Sequence, residues 1–85
     1  MSTKNVEMLL PAQCRAGRAL LDMTQPQLAE LAGLGLSTVV DFEKERRQVS
    51  VAAVETIQRA LRRAGVEFID ENGGGAGVRL RKRGR

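Results

Sequence analysis

Between residues 11 and 64 apolar side chains recur at three- and four-residue intervals, and beyond residue 65 the period drops to two. The first spacing is that of helices half-sunk in a core and the second that of strands. The pattern predicts a mainly α domain of four to five helices with a C-terminal β-hairpin. Pro11 is well placed as the first residue of helix 1, which runs to about Leu21 with Cys14, Gly17, Leu20 and Leu21 on its apolar face. Gly17 in mid-helix costs about 1 kcal/mol relative to alanine, so close helix packing is expected there.

Helix 2 is expected at about residues 25–32. Thr24 and Gln27 have the spacing of a capping box, and Pro26 falls in the first turn, where a missing N–H costs little. Leu28, Ala29, Leu31 and Ala32 supply its stripe, and Gly33 provides the left-handed cap. A third helix at about residues 36–44 follows. Val39, Phe42 and Glu43 share one of its faces, while Ser37, Val40, Asp41 and Lys44 share another. Ser50 is a plausible N-cap for helix 4, which extends to about Ala64 and buries Val54, Ile57, Ala60, Leu61 and Ala64. Gly65 ends it.

Val66–Asp70 and Val78–Arg81 alternate around Asn72 and a run of glycines, a hairpin signal with a long loop. Val66, Phe68, Val78 and Leu80 can share one face. A lone two-stranded hairpin is marginal, so residues 66–81 must pack on the helices or pair with a second copy. The apolar run at residues 6–10 is ambiguous between strand and helix, and between core filler and a dimer contact. Residues 1–10 are read as an N-terminal arm, residues 11–65 as the helical domain, and residues 82–85 as a basic disordered tail.

Composition narrows the functional classes. Eighty-five residues with 42% hydrophobic content support one small core. Phe42 and Phe68 are the only aromatic residues, so that core is aliphatic. The formal charge is +4, but Arg79, Arg81, Lys82, Arg83 and Arg85 account for all of it. Without these five, nine basic residues face ten acidic ones. Cys14 is the only cysteine and histidine is absent, which rules out an intramolecular disulfide and removes the commonest metal ligand. No phosphate-binding loop, CxxC or catalytic carboxylate pair is present. No cofactor, no metal and no enzymatic activity are expected. No apolar run approaches a membrane span and no signal-peptide core precedes the helices, so a cytoplasmic protein is expected.

The residues from Gln25 to Phe42 resemble the helix-turn-helix of the Cro/C1 (XRE-type) transcription regulators. With Gln25 as the first motif position, Ala29 is the small residue that lets the helices cross closely. Gly33 is the turn glycine, Val39 the β-branched residue between the helices, and Phe42 the apolar residue near the end. An ordinary αα-corner with an aliphatic core is the plain alternative. The resemblance implies a lambda-repressor-like fold without cofactor or metal, a double-stranded DNA partner, and a homodimer. It also implies an ion pair between Arg18 and Glu43, tying helix 1 to helix 3.

In such proteins helix 3 enters the major groove while helix 2 crosses the backbone. Carried over to this chain, Gln25 and the free N–H groups of helix 2 hold a phosphate. Lys44, Arg46 and Arg47 supply a second set of phosphate contacts. Base reading falls to Leu36, Ser37, Val40 and Asp41, with Thr38 able to reach a base or a phosphate. The sequence departs from the family's habit at Leu36, where a polar residue is common, and at Gly35, which replaces a Ser/Thr cap. Glu45 stands where many relatives carry glycine, and Val49 near their proline. The first function expected is a sequence-specific DNA-binding regulator without a ligand-sensing domain. The alternative is an antitoxin-like module that uses the same fold to bind a protein partner.

Overall fold

A computed structural model of the protein describes residues 8–82, and the expectations for residues 1–7 and 83–85 lie outside them. The described residues form four helices and one antiparallel hairpin: α1 (Pro11–Leu21), α2 (Gln25–Ala32), α3 (Leu36–Lys44), α4 (Val51–Ala64), β1 (Val66–Ile69) and β2 (Gly77–Leu80). None of these helices is long and apolar enough to cross a membrane.

Local chemistry explains most of the boundaries. Pro11 opens α1, and the Leu10 N–H that precedes it donates to the Gln13 side-chain oxygen at 2.9 Å. The Ser50 hydroxyl accepts from the Ala53 N–H at 3.1 Å, which satisfies one orphan donor of α4. Two helices close on residues without glycine's freedom. Asp22 after α1 and Glu45 after α3 both take left-handed backbone, with φ of 57° and 56°.

Leu28, Val39, Ile57, Leu61, Val66 and Cys14 are fully buried and make one core, with Ala29, Val54, Ala60 and Phe42 around them. Fully burying an aliphatic side chain of this size stabilises by about 1.5–3 kcal/mol. Two leucines expected in the core are not in it. Leu20 and Leu31 are 41% and 45% exposed, because these short helices turn their small residues, Gly17 and Ala29, toward their neighbours instead. Gly17 faces Leu61 and Val66, but an added Cβ would lie 3.7 Å from both, at ordinary van der Waals distance. The close approach expected there is absent.

The hairpin register pairs Val66 with Leu80, Glu67 with Arg79, Phe68 with Val78 and Ile69 with Gly77. It packs on α1 and α4. Val66 is buried and Phe68 and Val78 are half-buried, but Leu80 on the same face is 51% exposed. Several contacts hold the hairpin down, among them one from the Arg81 guanidinium to the Arg62 carbonyl at 2.9 Å. The Arg81 N–H donates to the Gly65 carbonyl at 2.7 Å, the Gln13 amide donates to the Gly77 carbonyl at 3.1 Å, and the Arg62 guanidinium lies 6.0 Å above the Phe68 ring. In the loop, one Glu71 carboxylate oxygen accepts from the Gly73 and Gly75 N–H groups.

Candidate nucleic-acid interface

The candidate interface is built from α2, a three-residue turn and α3. Thr24 and Gln27 form a complete capping box: the Gln27 N–H donates to the Thr24 hydroxyl at 3.2 Å, and the Thr24 N–H donates to the Gln27 side-chain oxygen at 2.8 Å. Gly33 ends α2 with φ 70°, and the Leu34 N–H closes back onto the Ala29 carbonyl at 2.9 Å. Gly35 then caps α3 without a side-chain bond.

The capping box corrects one expectation. Thr24 and Gln27 use their own N–H groups, Pro26 has none, and the Leu28 N–H bonds to the Thr24 carbonyl. The first turn of α2 therefore keeps a single backbone donor, that of Gln25, rather than a set. Two side-chain amides add to it. Gln25 spends one N–H of its amide inside the protein and keeps the other. Gln27, exposed, uses only its oxygen in the cap. Gln27 was absent from the sequence-derived site, although its capping-box position already announced an outward amide.

Beneath this surface lies one buried carboxylate. Glu43, 1% exposed, comes from the packing face of α3 and receives four hydrogen bonds. Arg18 Nε and Nη2 each donate to it at 2.7 Å, the Gln25 amide at 2.9 Å, and the Cys14 thiol at 3.0 Å. The Arg18–Glu43 pair that the family resemblance implies is thus present as a bidentate fork. Burial pushes the Glu43 carboxyl up, but Arg18, Cys14 and Gln25 outweigh it and hold the carboxyl below its ordinary range. Glu43 in turn raises Arg18. Burial, with Glu43 beside it, drives the Cys14 thiol far above its ordinary range, so Cys14 is a hydrogen-bond donor as well as a small core residue. Arg15 adds a further tie, donating to the Glu43 carbonyl and pinning the last turn of α3 to α1. Nothing local in the sequence marks Arg15 for this.

With Val39, Phe42 and Glu43 turned inward, the opposite side of α3 is left outward. Leu36 is 45% exposed, Ser37 and Lys44 are exposed, and Thr38, Val40 and Asp41 are half-buried. Arg46 and Arg47 are exposed in the turn that follows. The position of Arg47 follows from Glu45. Its left-handed backbone reverses the chain, the Arg46 N–H bonds to the Asp41 carbonyl at 2.9 Å, and Arg47 Nε reaches Asp41 Oδ2 at 2.8 Å. Asp41 and Arg47 were expected to act separately, on a base and on a phosphate, but they are paired with each other. Among the described residues, Lys44 and Arg46 take part in no ion pair.

No curated protein matches the chain. A family described as helix-turn-helix matches residues 15–68, which takes in the last two-thirds of α1, all of α2 to α4 and most of β1. That span holds the turn at Gly33, the packing face of α3 and the Arg18–Glu43 pair beneath them. The chain belongs to the Cro/C1-type helix-turn-helix family of DNA-binding regulators.

Proposed function

We propose that the protein is a sequence-specific transcription regulator that binds a palindromic operator as a homodimer and works in the cytoplasm as a repressor or switch. The observation that carries this reading is the division of α3. Three side chains lock it to the core, and Leu36, Ser37, Thr38, Val40, Asp41 and Lys44 are left on the outside.

In this reading α3 lies in the major groove. Ser37 donates to or accepts from a base edge, Leu36 or Val40 meets a thymine methyl, and Asp41 accepts from cytosine N4. Gln25, through its backbone N–H and its second amide hydrogen, holds a phosphate beside the start of α2. Lys44 and Arg46 take phosphates on the other flank. The readout face has no arginine to fork a guanine, so each half-site binds modestly. Two copies, with α3 helices about 34 Å apart, then supply the affinity and the symmetry.

The test is binding to the DNA upstream of the protein's own gene at two salt concentrations, with the oligomeric state measured alongside. The proposal expects a dimer protecting one site, with affinity falling steeply as salt rises. Equal, weak binding to every duplex would remove it. A second reading, an antitoxin-like module holding a protein partner, is favoured by one observation. Exposed Leu20 and Leu80 flank a groove of about 500 Å³ that also includes Leu21 and Ala64. Variants of Ser37 and Lys44 separate the two readings, because they weaken operator binding without touching that groove.

A further inference from the structure

The pair formed by Asp41 and Arg47 is the one ion pair among the described residues in which both groups lie on the surface assigned to DNA. A carboxylate on a face that approaches phosphates is a liability, since it adds repulsion where the rest of the face attracts. Here the carboxylate also occupies the guanidinium of Arg47, one of three cations flanking α3. The pair is easily opened. Asp41 and Arg47 side chains are 20% and 52% exposed, the contact runs through Nε alone, and exposed pairs of this kind contribute little to stability. The guanidinium can therefore leave for a phosphate at small cost, provided that Asp41 finds a new donor.

We propose that Asp41 and Arg47 form a partner-exchange pair that sets sequence discrimination. On non-cognate DNA, Asp41 keeps Arg47 and repels the backbone, so one phosphate contact is withheld. On a cognate site, a cytosine amino group opposite Asp41 replaces the guanidinium as donor, and Arg47 moves to a phosphate. Base recognition at one position is thereby coupled to a backbone contact that carries no sequence information itself. Specificity arises from suppressed non-specific binding as much as from the base contact. The placement depends on Glu45, whose left-handed backbone brings Arg47 back alongside the helix.

This inference rests on the DNA-binding reading and deepens it, and a four-protein cycle tests it: wild type, Asp41→Asn, Arg47→Gln and the double variant. Each is titrated at 50 and 200 mM salt against two labelled duplexes. One is a mixed-sequence 20-bp duplex; the other is the site that wild type selects from a random duplex library. Asp41→Asn is expected to tighten the mixed duplex by about three- to tenfold at low salt and to steepen the salt slope by about one contact's worth. Arg47→Gln should weaken the mixed duplex only modestly in the wild-type background, where it uncovers the Asp41 charge, and by clearly more in the Asp41→Asn background, where it removes a phosphate contact and most of the gain. On the selected site, Arg47→Gln should weaken wild type by a comparable factor, and Asp41→Asn, whose amide can donate as well as accept, should relax the cytosine preference at one position per half-site.

Additive effects of the two substitutions on the mixed duplex, with Arg47→Gln equally harmful in both backgrounds, would overturn the exchange while leaving DNA binding intact. An unchanged base preference in Asp41→Asn would overturn it as well. A wild type that enriches no site from the library would remove the regulator reading itself, and the exchange with it. Far-UV circular dichroism of each variant separates a loss of binding from a loss of fold.

Discussion

Replacing Arg18 by alanine removes two charge-assisted bonds from a carboxylate that is 1% exposed. Breaking a buried pair by deleting one partner costs about 3–5 kcal/mol, because the remaining charge stays out of water without compensation. Two features place this case at the lower end. The Arg18 side chain is 19% exposed, so water can reach part of the vacated space, and Cys14 and Gln25 still donate to Glu43. The expected loss is about 3 kcal/mol. Total stability for a domain of this length is about 4–13 kcal/mol. Far-UV circular dichroism should follow the melt, since tryptophan and tyrosine are absent, and the midpoint should fall by about 12–24 °C.

The pH dependence gives a second, independent check. In the parent, the Glu43 carboxyl is held below its unfolded value, so its contribution is present above the unfolded pKa and is lost as pH falls through the folded one. Without Arg18 the carboxyl loses the largest influence holding it down, so it takes up a proton more readily than in the parent as pH falls. At neutral pH its charge is then compensated less well, and protonation relieves part of that loss. The gap between parent and Arg18→Ala should narrow as pH falls from 7 toward 4. A midpoint within 4 °C of the parent at pH 7, or a gap that widens on acidification, would refute the reasoning.

Other substitutions test single links. Glu45→Gly removes the left-handed strain of an L-residue, about 1–2 kcal/mol, against an unfolded-state entropy cost of up to about 1. A net gain of about 1 kcal/mol and a midpoint several degrees higher are expected, and a lower midpoint would count against the strain. Gly17→Ala should stabilise by about 1 kcal/mol, since the added methyl meets Leu61 and Val66 at contact distance; a loss in a urea melt would show that the helices cannot accept it. Thr24→Ala removes the hydroxyl that caps α2 while keeping the backbone N–H that donates to Gln27, and should cost about 1 kcal/mol by the same melt. If it cost nothing, the capping box would be ornamental.

The fold was legible where a residue's preference is local. Thr24, Gly33, Ser50 and Gly65 announce helix ends by their own chemistry, and the i, i+3, i+4 spacing of Val39, Phe42 and Glu43 is enough to identify the buried face of α3. The rotation of short helices is less legible. Leu20 and Leu31 fit an apolar stripe, yet in helices of eleven and eight residues neighbouring small side chains decide which edge turns inward. Buried Gln13 escaped notice because its partner, the Gly77 carbonyl, lies sixty-four residues away. At the interface, the outward position of Ser37 and Lys44 follows from helical period alone. The pairing of Asp41 with Arg47 does not, because it depends on how the chain leaves α3. The shortage of amide donors at the start of α2 was implicit in the capping box, which satisfies the groups an anion would use.

Glu43 has a consequence for which side of α3 can change. The carboxylate gathers α1, α2 and α3 at one point from the inner side of α3, and Val39 and Phe42 complete the attachment. Leu36 and Val40 are not among the apolar side chains packed on the core, and Ser37 is exposed. Leu36, Ser37 and Val40 can therefore be exchanged as a set, like the teeth of a key cut on a fixed blank, without refolding the protein. Changes at the hub behave oppositely: they deplete the folded molecule before they alter its outer face.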